Sequence, residues 1–116
     1  MSVGPTFRSY VLEQLGRVAP DIRDRSMFGG VGIYSGDLFF ALIDEDTVYF
    51  KVDDSNRALF EEQGMGPFEP YGPGGGSMQY YEVPEEVLED AEVLQAWVDA
   101  ALAVARSKSS RRRRTR

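Results

Sequence analysis

The chain has 116 residues, 42% hydrophobic and 28% charged, a composition suited to one folded domain with little surplus stability. It contains no cysteine and no histidine, which excludes disulfides, thiolate nucleophiles, Ser-His-Asp and Cys-His catalysis and the common zinc sites. All 19 acidic residues but only six of the 13 basic ones precede Arg106, so that part carries −13, and the other seven positive charges fall in 106–116.

In chain order, Pro5 suits a first helical position, and Phe7, Tyr10, Val11, Leu15 and Val18 follow at helical spacing. A helix from Pro5 to about Leu15 is expected, with Gly16 and Pro20 marking its end. The stretch from Ile22 to Tyr34 reads as a strand interrupted by glycines, with Val31 and Ile33 on one face and Gly30 and Gly32 on the other. Ser35-Gly36-Asp37 is a turn and Leu38 to Ile43 an apolar strand. After a second turn at Asp44-Glu45-Asp46-Thr47, the next strand alternates, Val48, Phe50 and Val52 inward and Tyr49 and Lys51 outward. These strands form an antiparallel meander of three.

Asp53 or Asp54 is expected to cap a short helix through Gln63, with Gly64 as its left-handed terminal residue. Gly66 to Gly76 reads as loop, and Ser77 to Val83, with Met78, Tyr80 and Tyr81, as a further strand. Pro84 starts a helical turn and Asp90 caps the last helix, whose apolar stripe is Leu94, Trp97, Val98, Ala101, Leu102 and Ala105. The expected fold is α+β, an antiparallel sheet of that meander plus at least one further strand, packed against N- and C-terminal helices. The expected division is a folded domain, 1–105, and a disordered basic tail, 106–116. No run approaches the ~20 apolar residues that cross a bilayer, and Met1 to Thr6 has no signal-peptide pattern. A cytoplasmic protein without a membrane partner is expected.

Several segments carry more than generic pattern: Arg25-Ser26-Met27-Phe28-Gly29-Gly30-Val31-Gly32-Ile33-Tyr34, Leu38-Phe39-Phe40-Ala41-Leu42-Ile43, Val48-Tyr49-Phe50-Lys51-Val52-Asp53, Pro67-Phe68, Met78-Gln79-Tyr80-Tyr81 and Pro84-Glu85-Glu86-Val87-Leu88-Glu89-Asp90. In this order and spacing they resemble the N-terminal domain of the TfoX/Sxy family, named for a regulator of natural competence genes. The resemblance implies helices packed on one antiparallel sheet and no known catalytic residues. In the competence regulators this domain precedes a second, helical one, and the full protein acts with a cyclic-AMP-responsive transcription factor. The expectation here is a stand-alone, non-enzymatic regulatory or adaptor domain, working through protein contacts in transcription control and needing no cofactor or metal.

Candidate sites follow from the residues themselves. Arg25, Met27, Phe28, Gly29 and Gly30 read either as a kinked strand whose bare backbone lies under an aromatic, or as a surface where a partner approaches and Arg25 meets an anion. Tyr49, Tyr71, Tyr80 and Tyr81 with Lys51 would make an aromatic, polar groove if neighbouring strands present them on one face; core packing is the alternative. Residues 72–77 offer glycines for an anion nest, but no Gly-Lys-Ser/Thr or helix start follows. Asp44, Glu45 and Asp46 sit in a tight turn without EF-hand spacing. Glu85, Glu86, Glu89 and Asp90 suit a helix start. Arg111, Arg112, Arg113, Arg114 and Arg116 would give weak, salt-sensitive, sequence-independent nucleic-acid affinity, unless the tail folds back on the acidic body. Two further readings therefore stand beside the adaptor: a ligand binder or enzyme using Tyr, Lys and carboxylates, and an accessory nucleic-acid binder. The small size and many aromatics also lead us to expect a homodimer.

Overall fold

A computed structural model describes residues 4–27, 29–69 and 79–114, the last six as backbone only. The elements are α1 (Pro5–Gly16), β1 (Ile22–Met27), β2 (Gly30–Ser35), β3 (Leu38–Asp44), β4 (Thr47–Lys51), α2 (Arg57–Glu61), β5 (Tyr80–Glu82), α3 (Glu85–Glu89) and α4 (Ala91–Arg114). The five strands form one sheet in the order β1-β2-β3-β4-β5, every neighbouring pair antiparallel. The stretch read as one interrupted strand is two strands, β1 and β2, with Gly29 at φ 82° between them. The meander is thus longer than expected, and the α+β class stands.

Turn chemistry sets the hairpins. Gly36 holds φ 60° between β2 and β3, while Glu45 and Asp46 hold φ 50° and 59° between β3 and β4. Two consecutive left-handed residues match the twist of antiparallel strands but are unfavourable for side chains with a Cβ. The Asp46 carboxylate helps fix this turn by accepting from the Gly4 backbone N–H at 2.9 Å.

Alternation then divides the sheet into two faces. The inner face carries Val31, Ile33, Ile43, Val48 and Phe50, all at most 2% exposed. A register shift after Ile33 leaves Phe40 without a partner on β2, since Ile33 pairs with Ala41 and Tyr34 with Phe39. This bulge lets Phe40 and Ala41, adjacent in sequence, both bury completely. Phe40 packs on Phe50 with ring centroids 5.8 Å apart.

Helices cover the inner face. α4 lies across β3 and β4 and α1 against β1. The expected stripe of α4 is buried throughout, and Trp97 meets Phe60 of α2 edge-on at 4.6 Å. Two glutamines join the helices: Gln14 donates to the Leu88 carbonyl at 2.8 Å and Gln95 to that of Val18 at 2.7 Å. Asp90 caps α4, accepting from the N–H groups of Glu92 and Val93.

Three local expectations change. Neither Asp53 nor Asp54 caps α2; Asn56 occupies that position, and the Asp53 carboxylate instead accepts from Ser55 within the preceding turn. Gly64 takes the left-handed conformation, at φ 76°, but α2 has already ended at Glu61. The basic segment read as disordered is helical as far as Arg114, continuing α4 without a break. Among the described residues no helix is long and apolar enough to cross a membrane.

Candidate functional site

The outer face of the sheet carries the side chains that alternate with the core. Residues opposite one another in an antiparallel pair share a face. The pairs Arg23–Tyr34, Arg25–Gly32, Leu42–Tyr49, Lys51–Tyr80 and Tyr49–Glu82 therefore lay out one surface.

Its centre is a row of rings. Tyr34 stacks on Phe39 with centroids 4.9 Å apart, and Phe39 meets Tyr80 at 5.8 Å. The Lys51 ammonium lies 5.3 Å from the Phe39 centroid and 5.8 Å from that of Tyr80, so both rings contribute cation–π attraction. Lys51 is only 8% exposed. Tyr49 packs on Phe68 at 4.6 Å. At the β1 side Met27 lies over Gly32, where a Cβ would fall 2.5 Å from the Met27 Cε and 3.1 Å from a Phe39 ring carbon. Beyond it Arg25 is exposed, while Arg23 pairs with Asp21 at 3.1 and 3.0 Å. Arg23, Asp24, Arg25, Tyr34, Gly36 and Asp37 line an open depression of about 340 Å³.

The structure thus brings Arg25, Met27, Tyr49, Lys51 and Tyr80 onto one face. It places Tyr81 on the other: its neighbour in sequence faces outward, so Tyr81 turns inward against Phe60, at 5.9 Å. Gly29 belongs to the hairpin. Gly30 lies under the backbone of β3 rather than an aromatic, because a Cβ there would be 2.5 Å from the Ile43 carbonyl oxygen. Phe28, Tyr71 and the glycines of 72–76 lie outside the described residues, and so do the side chains of Arg111, Arg112, Arg113, Arg114 and Arg116. Tyr34 and Phe39 were missed as site residues. The signal was present, since period-two alternation puts Tyr34 beside Gly32, and the paired Phe39-Phe40 cannot both face inward without a bulge.

Tyr49 and Tyr80 of this surface hold their protons more tightly than exposed tyrosines do. Burial, and secondarily Tyr34, pushes the Tyr80 hydroxyl up to about 12. Burial raises Tyr49 as well, followed by the negative charges of Glu82 and Asp44. A phenol shifted upward stays protonated near neutral pH and is a poor general base there. No group of three or more carboxylates able to hold a metal ion occurs among the described residues. No buried side-chain nitrogen or oxygen among them lacks a hydrogen-bond partner.

These features define an α+β domain with helices on one side of a five-stranded sheet and an aromatic, partly cationic surface on the other. The chain belongs to the TfoX N-terminal domain family, whose model matches residues 13–105. That family is not a known enzyme family. Comparison with curated proteins gave no match.

Proposed function

We propose that this domain is a non-enzymatic regulator that works through protein contacts made by the outer sheet face, in transcription control. The observation that carries the reading is the composition of that face. Rings at Tyr34 and Phe39 flanked by the exposed cation of Arg25 combine apolar area with a polar handle, the mixture enriched in protein interfaces. Family membership supports a regulatory role, and the upward-shifted tyrosines favour contact over catalysis. The competing ligand-binder reading would rest on the depression beside Arg25, which is open rather than enclosing.

The test compares transcripts of a host strain lacking the coding sequence with strains restored by the wild type or by the double variant Tyr34→Ala, Arg25→Glu. Transcript changes corrected by the wild type but not by the double variant are expected, with the variant melting cooperatively. Full correction by that variant would remove the outer face from the mechanism. Unchanged transcripts in the deletion strain would remove transcription control.

A further inference from the structure

Seven of the chain's 13 basic residues lie in 106–116, and the fold decides how they are presented. Ala105 is the last buried residue of α4 among those described; Arg106 and Ser107 are exposed and Lys108 is half-buried. The helix nevertheless runs on through Arg114. A flexible segment would be free to fold back onto the acidic body. A helical one is held along the axis of α4, which Leu94, Trp97 and Val98 anchor in the core.

Distance decides the electrostatic outcome. From Arg106 to Arg114 the helix advances about 12 Å at its usual rise. Screening at physiological salt reduces charge interactions over about 8 Å. The far arginines therefore escape much of the field of the preceding residues, which carry −13.

Composition selects the ligand. Six of the seven cations are arginines, whose planar guanidinium pairs in two-point fashion with phosphate oxygens. Between Arg106 and Arg116 there is no apolar residue, so the segment has no face to bury in a lipid surface. Duplex DNA presents one negative charge about every 1.7 Å of its axis, a denser line of phosphate than a single strand offers.

We infer that the helical segment 106–114 is a docking site for the phosphodiester backbone of duplex DNA, bound without sequence readout. The inference is independent of the outer sheet face, which lies on the folded body. Counterion release drives the association, and the acidic body contributes only repulsion.

The experiment titrates the full chain into a fluorescent duplex of arbitrary sequence and follows anisotropy at several salt concentrations. Binding should weaken with salt at a log–log slope of about −5, the value for six helical cations each displacing one counterion. The quadruple variant Arg111→Gln, Arg112→Gln, Arg113→Gln, Arg114→Gln should bind about tenfold more weakly or worse, with a slope shallower by about three to four. Ser110→Pro keeps every charge but interrupts the helix against the carbonyl of Arg106, past the last buried turn. It should lose affinity severalfold, because the arginines then reach the acidic body. Both variants should melt at the wild-type temperature. Absent binding at low salt, or a quadruple variant as tight as wild type, would overturn the site. Unchanged affinity in Ser110→Pro would overturn helical presentation. Tighter binding to single-stranded DNA, polyglutamate or phosphatidylserine vesicles than to the duplex would overturn the choice of ligand.

Discussion

The α-hydrogen side of Gly30 faces the Ile43 carbonyl so closely that a Cβ there would stand 2.5 Å from the oxygen. The obstacle is backbone in the middle of the sheet and cannot swing aside. Gly30→Ala should therefore destabilise by about 1–3 kcal/mol through strain. At Gly32 the closest atom is the flexible end of Met27, so Gly32→Ala should cost less than Gly30→Ala, and Gly32→Val more than Gly32→Ala because Phe39 also stands near. Urea unfolding of the three variants checks the order, and equal midpoints would contradict it.

Asn56, 2% exposed, joins β4 to α2 by donating to the Lys51 carbonyl at 3.1 Å and accepting from the Asp53 N–H at 2.9 Å. Asn56→Ala leaves both backbone groups without this partner, at about 1–3 kcal/mol. Asn56→Asp keeps the acceptor but sets a buried carboxylate oxygen against the Lys51 carbonyl, so near neutral pH it should be at least as destabilising as Asn56→Ala. Chemical denaturation of both variants, with hydrogen exchange at Asp53, measures the loss.

Tyr80 gives a pH signature. Burial pushes its hydroxyl up to about 12 in the folded state, from an ordinary tyrosine value of about 10. Between these values the unfolded chain has released the proton and the folded chain still holds it, so the unfolded state binds fewer protons and stability falls as pH rises. The contribution is complete below pH 10 and is lost toward pH 12, up to about 2 kcal/mol. Tyr80→Phe should flatten that part of the decline. Across this alkaline range the wild-type denaturation midpoint should fall relative to that of Tyr80→Phe as pH rises; a constant gap would contradict the assignment.

Asp90 holds the first turn of α4 through two backbone N–H groups, at 3.1 and 3.3 Å. Asp90→Ala should cost about 1 kcal/mol and Asp90→Ser distinctly less. By contrast the Arg8–Asp24 pair at 2.6 Å has side chains about a third exposed, and Arg8→Ala should change the melting temperature little. Calorimetry on the three variants separates a cap from a surface ion pair.

Much of this was legible where one physical signal governed. The stripe from Leu94 to Ala105 and the alternation from Val48 to Val52 gave the helix layer and the inner face, because periodicity reports burial directly. Gly64 and Asp90 were legible from backbone chemistry alone. The bulge at Phe40 was not, since a register shift depends on the partner strand. Asn56 was missed for a related reason: Asp53 and Asp54 are equally good capping types, and only tertiary burial selects the residue that reaches the Lys51 carbonyl. In the candidate site, Tyr49, Lys51 and Tyr80 share a face as strand alternation requires, whereas Tyr81 had to leave it by the same rule. The helical state of the basic segment was obscured by its composition, which matches that of disordered chains.

The order of strands in the sheet is also the order in which a ribosome makes them. β2, β3 and β4 can each pair with the strand before it as soon as it emerges, an economy of local contacts that favours rapid folding. The helix that covers β3 and β4 comes last. At about 5–20 residues per second, Lys51 precedes Ala105 by several seconds. During that interval Phe40, Phe50 and Ile43, buried in the finished fold, have no α4 to cover them, so closure of the apolar inner face waits on this helix.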